Sequence, residues 1–224
     1  MRYAVKSKKK VLLYRAHKNE YDRAMFVLII DTTSACLTAA VADEHKVLAE
    51  HQQVLARGQG EQLIGILQGV LDKAGKKLQD MQAIVVNVGP GSFTGVRIGL
   101  ATARALGLAL QIPVWGVTAF EAYAYGAQQP LAVVLESLRD DVYIQNFNGQ
   151  GQATDEPHVC AAENVPVTAL RGSAAERVAQ VTNAPIVPMP CSLAQAMAQI
   201  AFARQKEPLS PHPMYVRDAD VSLV

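Results

Sequence analysis

The chain has 224 residues, half of them hydrophobic, with 21 Lys/Arg against 20 Asp/Glu and five His, for a formal net charge of +1. That length suits one large domain or two small ones with a sizeable core. The charge is uneven: residues 1–24 hold eight of the basic and two of the acidic side chains, so the rest carries 13 basic and 18 acidic ones, a net −5, which excludes a stand-alone nucleic-acid binder.

Residues 1–24 show no periodic apolar pattern and read as a basic tail, either disordered or translated from a start upstream of Met25. The other reading of them is a weak phosphate-attracting arm. They lack the apolar stretch and small-residue cleavage site of a secretory signal. The longest apolar run, Met25 to Ile30, falls far short of the roughly 20 residues that span a bilayer, so no membrane partner is expected.

Phe26 to Ile30 predicts a buried strand ending in the turn-rich group Asp31-Thr32-Thr33-Ser34. Leu37 to Ala42 and Lys46 to Leu55 follow as strands, which makes three in a meander. The period then changes to helical: Leu63, Ile66, Leu67, Val70, Leu71 and Ala74 share a face, with Gly75 as the stop. A strand over 83–88, a helix over 94–110, a strand over Val114–Val117 and a helix capped by Thr118 complete the first part. The order β-β-β-α-β-α-β-α fits a mixed sheet of the ribonuclease-H-like kind. A second, smaller lobe begins near Gln128-Gln129-Pro130. It has strands over 131–137 and 142–147, a turn at Asn148–Gly151, and helices over 174–181 and 193–205. The expected division is a tail (1–24), an N-terminal lobe (25–127) and a C-terminal lobe (128–224).

The stretch between the fourth strand and its helix, Gly89-Pro90-Gly91-Ser92-Phe93-Thr94-Gly95-Val96-Arg97-Ile98-Gly99, is the most informative. A glycine-rich bend from strand to helix suits an anion or a close backbone contact. It is not a Walker A loop, because Val96 follows Gly95 and no Lys is near. It is not a dinucleotide fingerprint, because Thr94 stands where a third Gly is required. Two readings stay open: a tight turn without ligand, or a binding loop. Ser92 or Thr94 can cap the helix. In that helix Gly99, Ala103, Leu106 and Leu110 form a stripe suited to the sheet. Arg97, Leu100, Ala101, Arg104 and Leu108 form the opposite one, expected to meet the other lobe or another chain.

Cys36, Cys160 and Cys191 are far apart and odd in number, which fits a reducing, cytoplasmic setting. The five His show no metal-ligand spacing, so no metal is expected.

The combination of Ile29-Ile30-Asp31-Thr32-Thr33, the motif at 89–99, Asp141-Val142-Tyr143 and Pro213-Met214-Tyr215-Val216-Arg217 resembles the bacterial TsaB (YeaZ) family over residues 25–224. The resemblance implies an actin/hexokinase-like α/β fold of two ribonuclease-H-like lobes. It implies a non-catalytic scaffold in the machinery that makes threonylcarbamoyladenosine in tRNA, where the paralogue TsaD carries the metal and transfers the group. The expected partners are TsaD and TsaE homologues, tRNA through the complex, and a second copy of the chain when TsaD is absent. ATP or ADP is expected only in that complex. The interface expected from N-lobe helices takes in Leu63, Leu67, Arg97, Leu100, Ala101, Arg104 and Leu108. Two departures matter. The catalytic paralogue's His-x-x-x-His pair is matched here by Arg57–Leu63, without His. Glu136 and Leu138 stand where the family usually has Asp and Arg.

The competing classes are an actin-like ATPase or sugar kinase, with Asp31, Thr32 and Thr33 near Mg²⁺ and phosphate, and a metalloprotease, which lacks its ligands here. The plain reading of Asp31 is a cap on its own turn. A kinase would also need an adenosine loop, of which Leu170-Arg171-Gly172-Ser173 is a faint echo.

Overall fold

A computed structural model describes residues 24–55, 57–137, 139–166 and 169–216; the expectations for residues 1–23, Leu138 and Arg217 lie outside them. Strands β1 (Val27–Asp31), β2 (Cys36–Ala42), β3 (Val47–Val54), β4 (Ala83–Asn87) and β5 (Val114–Val117) form one sheet in the order β3-β2-β1-β4-β5. The first three strands pair antiparallel, and β4 and β5 join parallel. Helix α1 (Gln59–Lys73) links β3 to β4, and α2 (Phe93–Leu110) links β4 to β5. This is the meander and parallel crossover that the alternation of periods predicts.

Strand β1 is apolar at four consecutive positions because both faces of the sheet are covered. Leu28 and Ile30 pack under α1 and α2 with Leu63, Leu67 and Leu100. Val27 and Ile29 pack on the other face against Met197, Ala198 and Phe202. Those last residues belong to α5 (Leu193–Ala203).

The second sheet has the order β8-β7-β6-β9, built from β6 (Leu131–Glu136), β7 (Asp141–Phe147), β8 (His158–Ala161) and β9 (Ala169–Arg171). Alternation along β6 divides its side chains. Ala132 and Val134 pack with Val178 of α4 (Ala175–Thr182), while Leu131, Val133 and Leu135 pack with Phe120 of α3 (Ala119–Ala124).

A lobe boundary at 127/128 therefore separates the two sheets but not the helices. Helix α3, N-terminal to the boundary, covers the second sheet. Helix α5, C-terminal to it, covers the first. The chain after α5 also returns: Gly116 N donates to Leu209 O (2.8 Å) and Met214 N to Val88 O (2.8 Å). The exchange has a simple cause. Each sheet has a face that its own neighbouring helices leave bare, and an apolar face must be buried against something.

Helix α2 is by length and composition long and apolar enough to cross a membrane. It is nevertheless a layer of the first lobe. Gly95, Val96, Gly99, Leu100, Ala103 and Gly107 are buried on the sheet, and removing the helix would uncover that core.

Candidate functional site: the inter-lobe cleft and the outer face of the helix pair

The glycine-rich motif is first a packing device. A Cβ on Gly91 would stand 2.2 Å from the Thr33 carbonyl oxygen, and one on Gly95 would stand 2.0 Å from that of Thr32. No side chain fits at either position. The start of α2 is thereby pressed onto the turn after β1. Ser92 N donates to Thr33 O (2.7 Å), and Thr32 Oγ1 donates to the carbonyl of Gly95 (2.7 Å). Ser92, rather than Thr94, caps the helix: its Oγ accepts from Gly95 N. Gly89 has φ +102, which favours glycine, and its carbonyl accepts from Ala119 N (2.8 Å) at the start of α3. The motif thus joins β1, α2 and α3. Pro90 and Gly91 line the cleft, whereas Phe93 and Thr94 are exposed.

Asp31 ends β1 at the floor of the cleft between the lobes, a space of about 340 Å³ that Thr33, Tyr123, Leu135 and Glu136 also line. It is 2% exposed. One carboxylate oxygen accepts from Thr33 N and Thr33 Oγ1, both at 2.8 Å, and the other accepts from Asn87 Nδ2 at 3.0 Å. Asn87 Oδ1 in turn accepts from Gly89 N (2.9 Å), so the acid ties the turn to the glycine motif. Burial pushes the Asp31 carboxyl above the usual carboxylate range, against the pull of its three hydrogen bonds. Burial, then the Asp31 charge, holds the Tyr123 phenol well above its ordinary value. The described residues lining the cleft include two acids and no Lys, Arg or His. That electrostatic character suits a polyphosphate poorly.

Two other motif residues have structural engagements. Glu136 pairs with Arg177 at 2.7 Å near the surface. Gly172 sits with φ +120, and a Cβ there would stand 2.0 Å from Val134 O, so the Leu170–Ser173 stretch is a tight β-edge turn. No three His, Cys, Asp or Glu side chains come together as a metal cluster among the described residues.

The expected interface stripe needs correction. Leu100 is 3% exposed, Leu63 0% and Leu67 4%, and all three lie in the core beneath α1 and α2. The outer face of α2 carries Arg97, Ala101, Arg104, Ala105 and Leu108. Leu108 is 82% exposed, and Ile64 of α1 is 59% exposed. The two helices touch where Ile98 lies over Gly60. At the start of α2, Arg97 stacks 3.7 Å above the Phe93 ring, and Tyr215 packs beside it with ring centroids 5.6 Å apart. Arg104 donates to the Pro211 carbonyl. Both arginines thus bind the returning C-terminal segment to the rim of the outer face.

Sequence reasoning missed Asn87 as a buried polar residue, and it named Arg171 only within the faint echo of an adenosine loop, not as a buried cation. The signal for each was available: a polar side chain at the end of an otherwise apolar strand.

A family model described as TsaD, tRNA N6-adenosine threonylcarbamoyltransferase, matches residues 48–207. An uncharacterized Mycobacterium tuberculosis protein is 36% identical over 198 residues, which is 87% of this chain and 92% of that protein. The Escherichia coli tRNA threonylcarbamoyladenosine biosynthesis protein TsaB is 35% identical over 103 residues, 46% of this chain and 44% of that protein. The crystal structure of YeaZ from Pseudomonas aeruginosa superposes with a TM-score of 0.68 at 23% identity, covering 85% of this chain and 99% of that one. The YeaZ match shows a shared fold, and the family model spans well over half of the chain: the chain belongs to the family that this TsaD model describes, with TsaB of Escherichia coli among its relatives.

Proposed function

We propose that this chain is a non-catalytic subunit of the cytoplasmic machinery that makes threonylcarbamoyladenosine in tRNA, and that it supports a catalytic TsaD-type paralogue. Its family membership supports the pathway. The observation that carries the supporting role is the outer face of the helix pair. Leu108, Ile64, Ala101 and Ala105 are apolar and exposed on it, flanked by Arg97 and Arg104. A large exposed aliphatic side chain beside small ones suits a helical partner that packs closely. The partner of choice is the TsaD homologue, with a second copy of this chain on the same face when TsaD is absent. TsaE joins the pair, tRNA reaches the chain through the complex, and ATP or ADP belongs to the complex. The buried, fully hydrogen-bonded Asp31 supports a structural role for that acid over a phosphate-binding one.

The test is Leu108→Glu. A charge forced into an apolar interface costs about 2 kcal/mol or more, roughly thirtyfold in Kd. The variant should keep its circular dichroism spectrum, elute without TsaD on size-exclusion chromatography, and lose threonylcarbamoyladenosine formation in a reconstituted system. An undisturbed complex would remove this face from the interface. Steady ATP turnover by the isolated chain, abolished in Asp31→Ala, would favour the actin-like ATPase or kinase reading instead.

A further inference from the structure

Every charge on α2 is positive. The helix holds Arg97 and Arg104 and no acid, and both arginines are exposed. About two turns separate them, so they share one face roughly 10 Å apart along the axis. Exposed Ala101 lies between them, with Ala105 and Leu108 beyond. Their contacts within the chain are neutral. Arg97 stacks on the Phe93 ring, and its Nε donates to the Tyr215 hydroxyl at 3.4 Å. Arg104 donates to the Pro211 carbonyl. Neither is ion-paired with a carboxylate among the described residues, whereas Arg177 and Arg204 are. The adjoining α1 places exposed charge only in its first turn (Glu61) and at its end (Asp72, Lys73), with none from Gln62 to Leu71.

These charges bear on which partner the face suits. Two-fold pairing centred on α2 makes the same patch meet itself, so arginine comes to arginine across an otherwise aliphatic contact. Like charges brought together as water is excluded cost affinity. A helix with carboxylates at matching spacing meets the guanidiniums with opposite charge, and arginine's planar fork receives a carboxylate through two parallel hydrogen bonds. We propose that Arg97 and Arg104 make the outer face of α2 selective for a partner helix bearing carboxylates, and that they weaken its pairing with a second copy of this chain. The selectivity rests on the outer face being the interface with the TsaD-type paralogue, and it adds what that partner presents: acids matched to the two arginines.

The experiment measures association of the full chain, with the TsaD homologue and with itself, by sedimentation velocity between about 0.05 and 0.5 M NaCl, a range over which the screening length falls severalfold. The mixed complex should weaken about tenfold as salt rises, while self-association should tighten or hold. The double variant Arg97→Gln, Arg104→Gln should weaken the mixed complex about tenfold, flatten its salt dependence and tighten self-association. The double variant Arg97→Lys, Arg104→Lys loses the stacked, forked geometry but keeps both charges, and should keep the salt dependence. Circular dichroism checks the fold of each; if the Gln variant fails to fold, the opposite salt responses of the wild type decide alone. A mixed complex indifferent to salt or to the Gln variant, self-association that salt weakens or that the Gln variant does not strengthen, or a salt dependence as flat in the Lys variant as in the Gln variant would each overturn the proposal. Loss of the mixed complex in Leu108→Glu beside indifference to the Gln variant would keep the face as the interface and remove its charge selectivity. An undisturbed complex in Leu108→Glu would remove the face itself.

Discussion

Helices α1 and α2 lie side by side on one face of the first sheet, and both are rich in glycine, but their glycines do opposite things. In α2, Gly95, Gly99 and Gly107 face inward, where a Cβ would collide with Thr32 O (2.0 Å), Thr32 Oγ1 (2.6 Å) and Val114 Cγ2 (2.5 Å). In α1, Gly65 and Gly69 face outward, and a Cβ would meet nothing within 4 Å. A glycine inside a helix costs about 1 kcal/mol relative to alanine. In α2 the fold offsets that cost, because only glycine lets the helix sit against the β1 turn. At Gly65 and Gly69 nothing among the described residues offsets it. The difference teaches where to look for a partner: beside exposed Ile64, at positions whose lack of side chains benefits an approaching helix.

The comparison breaks first if the inner face of α2 tolerates change. Leu100→Glu puts an unpaired charge into the core, costs about 4 kcal/mol or more, and should unfold the chain. A native circular dichroism spectrum with only association lost would return Leu100 to the interface. Gly95→Ala comes next. Its Cβ meets a backbone carbonyl that cannot swing aside, so chemical denaturation should show a loss of about 3 kcal/mol. A neutral result would mean that the motif is a binding loop rather than a packing joint. The double change Gly65→Ala, Gly69→Ala should do the reverse: it stabilises the isolated chain by about 2 kcal/mol yet weakens copurification with TsaD. Stabilisation with unchanged association would leave the outer glycines unexplained.

The smallest effect concerns the turn on which α2 rests. The Asp31 carboxyl titrates above its unfolded value of about 3.9, so between the two values the folded chain binds more protons than the unfolded one. Stability relative to Asp31→Asn should therefore be highest below that window. It should fall as pH rises through it, by at most about 1.4 kcal/mol per pH unit, and level off above. A difference that grows with pH would show that the hydrogen bonds to the ionised form outweigh burial.

The first lobe was largely legible. Strand β5 falls at Val114–Val117 as predicted, Gly75 follows the end of α1 with φ +63, and Thr118 caps α3 through a capping box with Glu121. These are local signals, read from period and cap chemistry. The second lobe was less so. Strands β8 and β9, of four and three residues, are too short to show a period and exist because β7 and β6 offer them edges.

The sequence by itself determined the alternation of elements, the family, and a glycine-rich bend at 89–95 whose role it left open between a tight turn and a binding loop. Side-chain period, cap residues and the absence of Cβ are properties of short stretches. The stripe of Gly99 and Ala103 lies on the sheet as expected, but only the tertiary structure decided on which side of α2 Leu100 falls, because Ala101, Ala105 and Leu108 on the outside are as apolar as Leu100 within. Hydrophobicity could not choose between those faces. The choice was made by the close approach of Gly95 to the Thr32 carbonyl, a contact between residues 63 apart in the chain. The same is true of the exchange of α3 and α5 between lobes, which depends on which sheet faces remain bare once each lobe has formed.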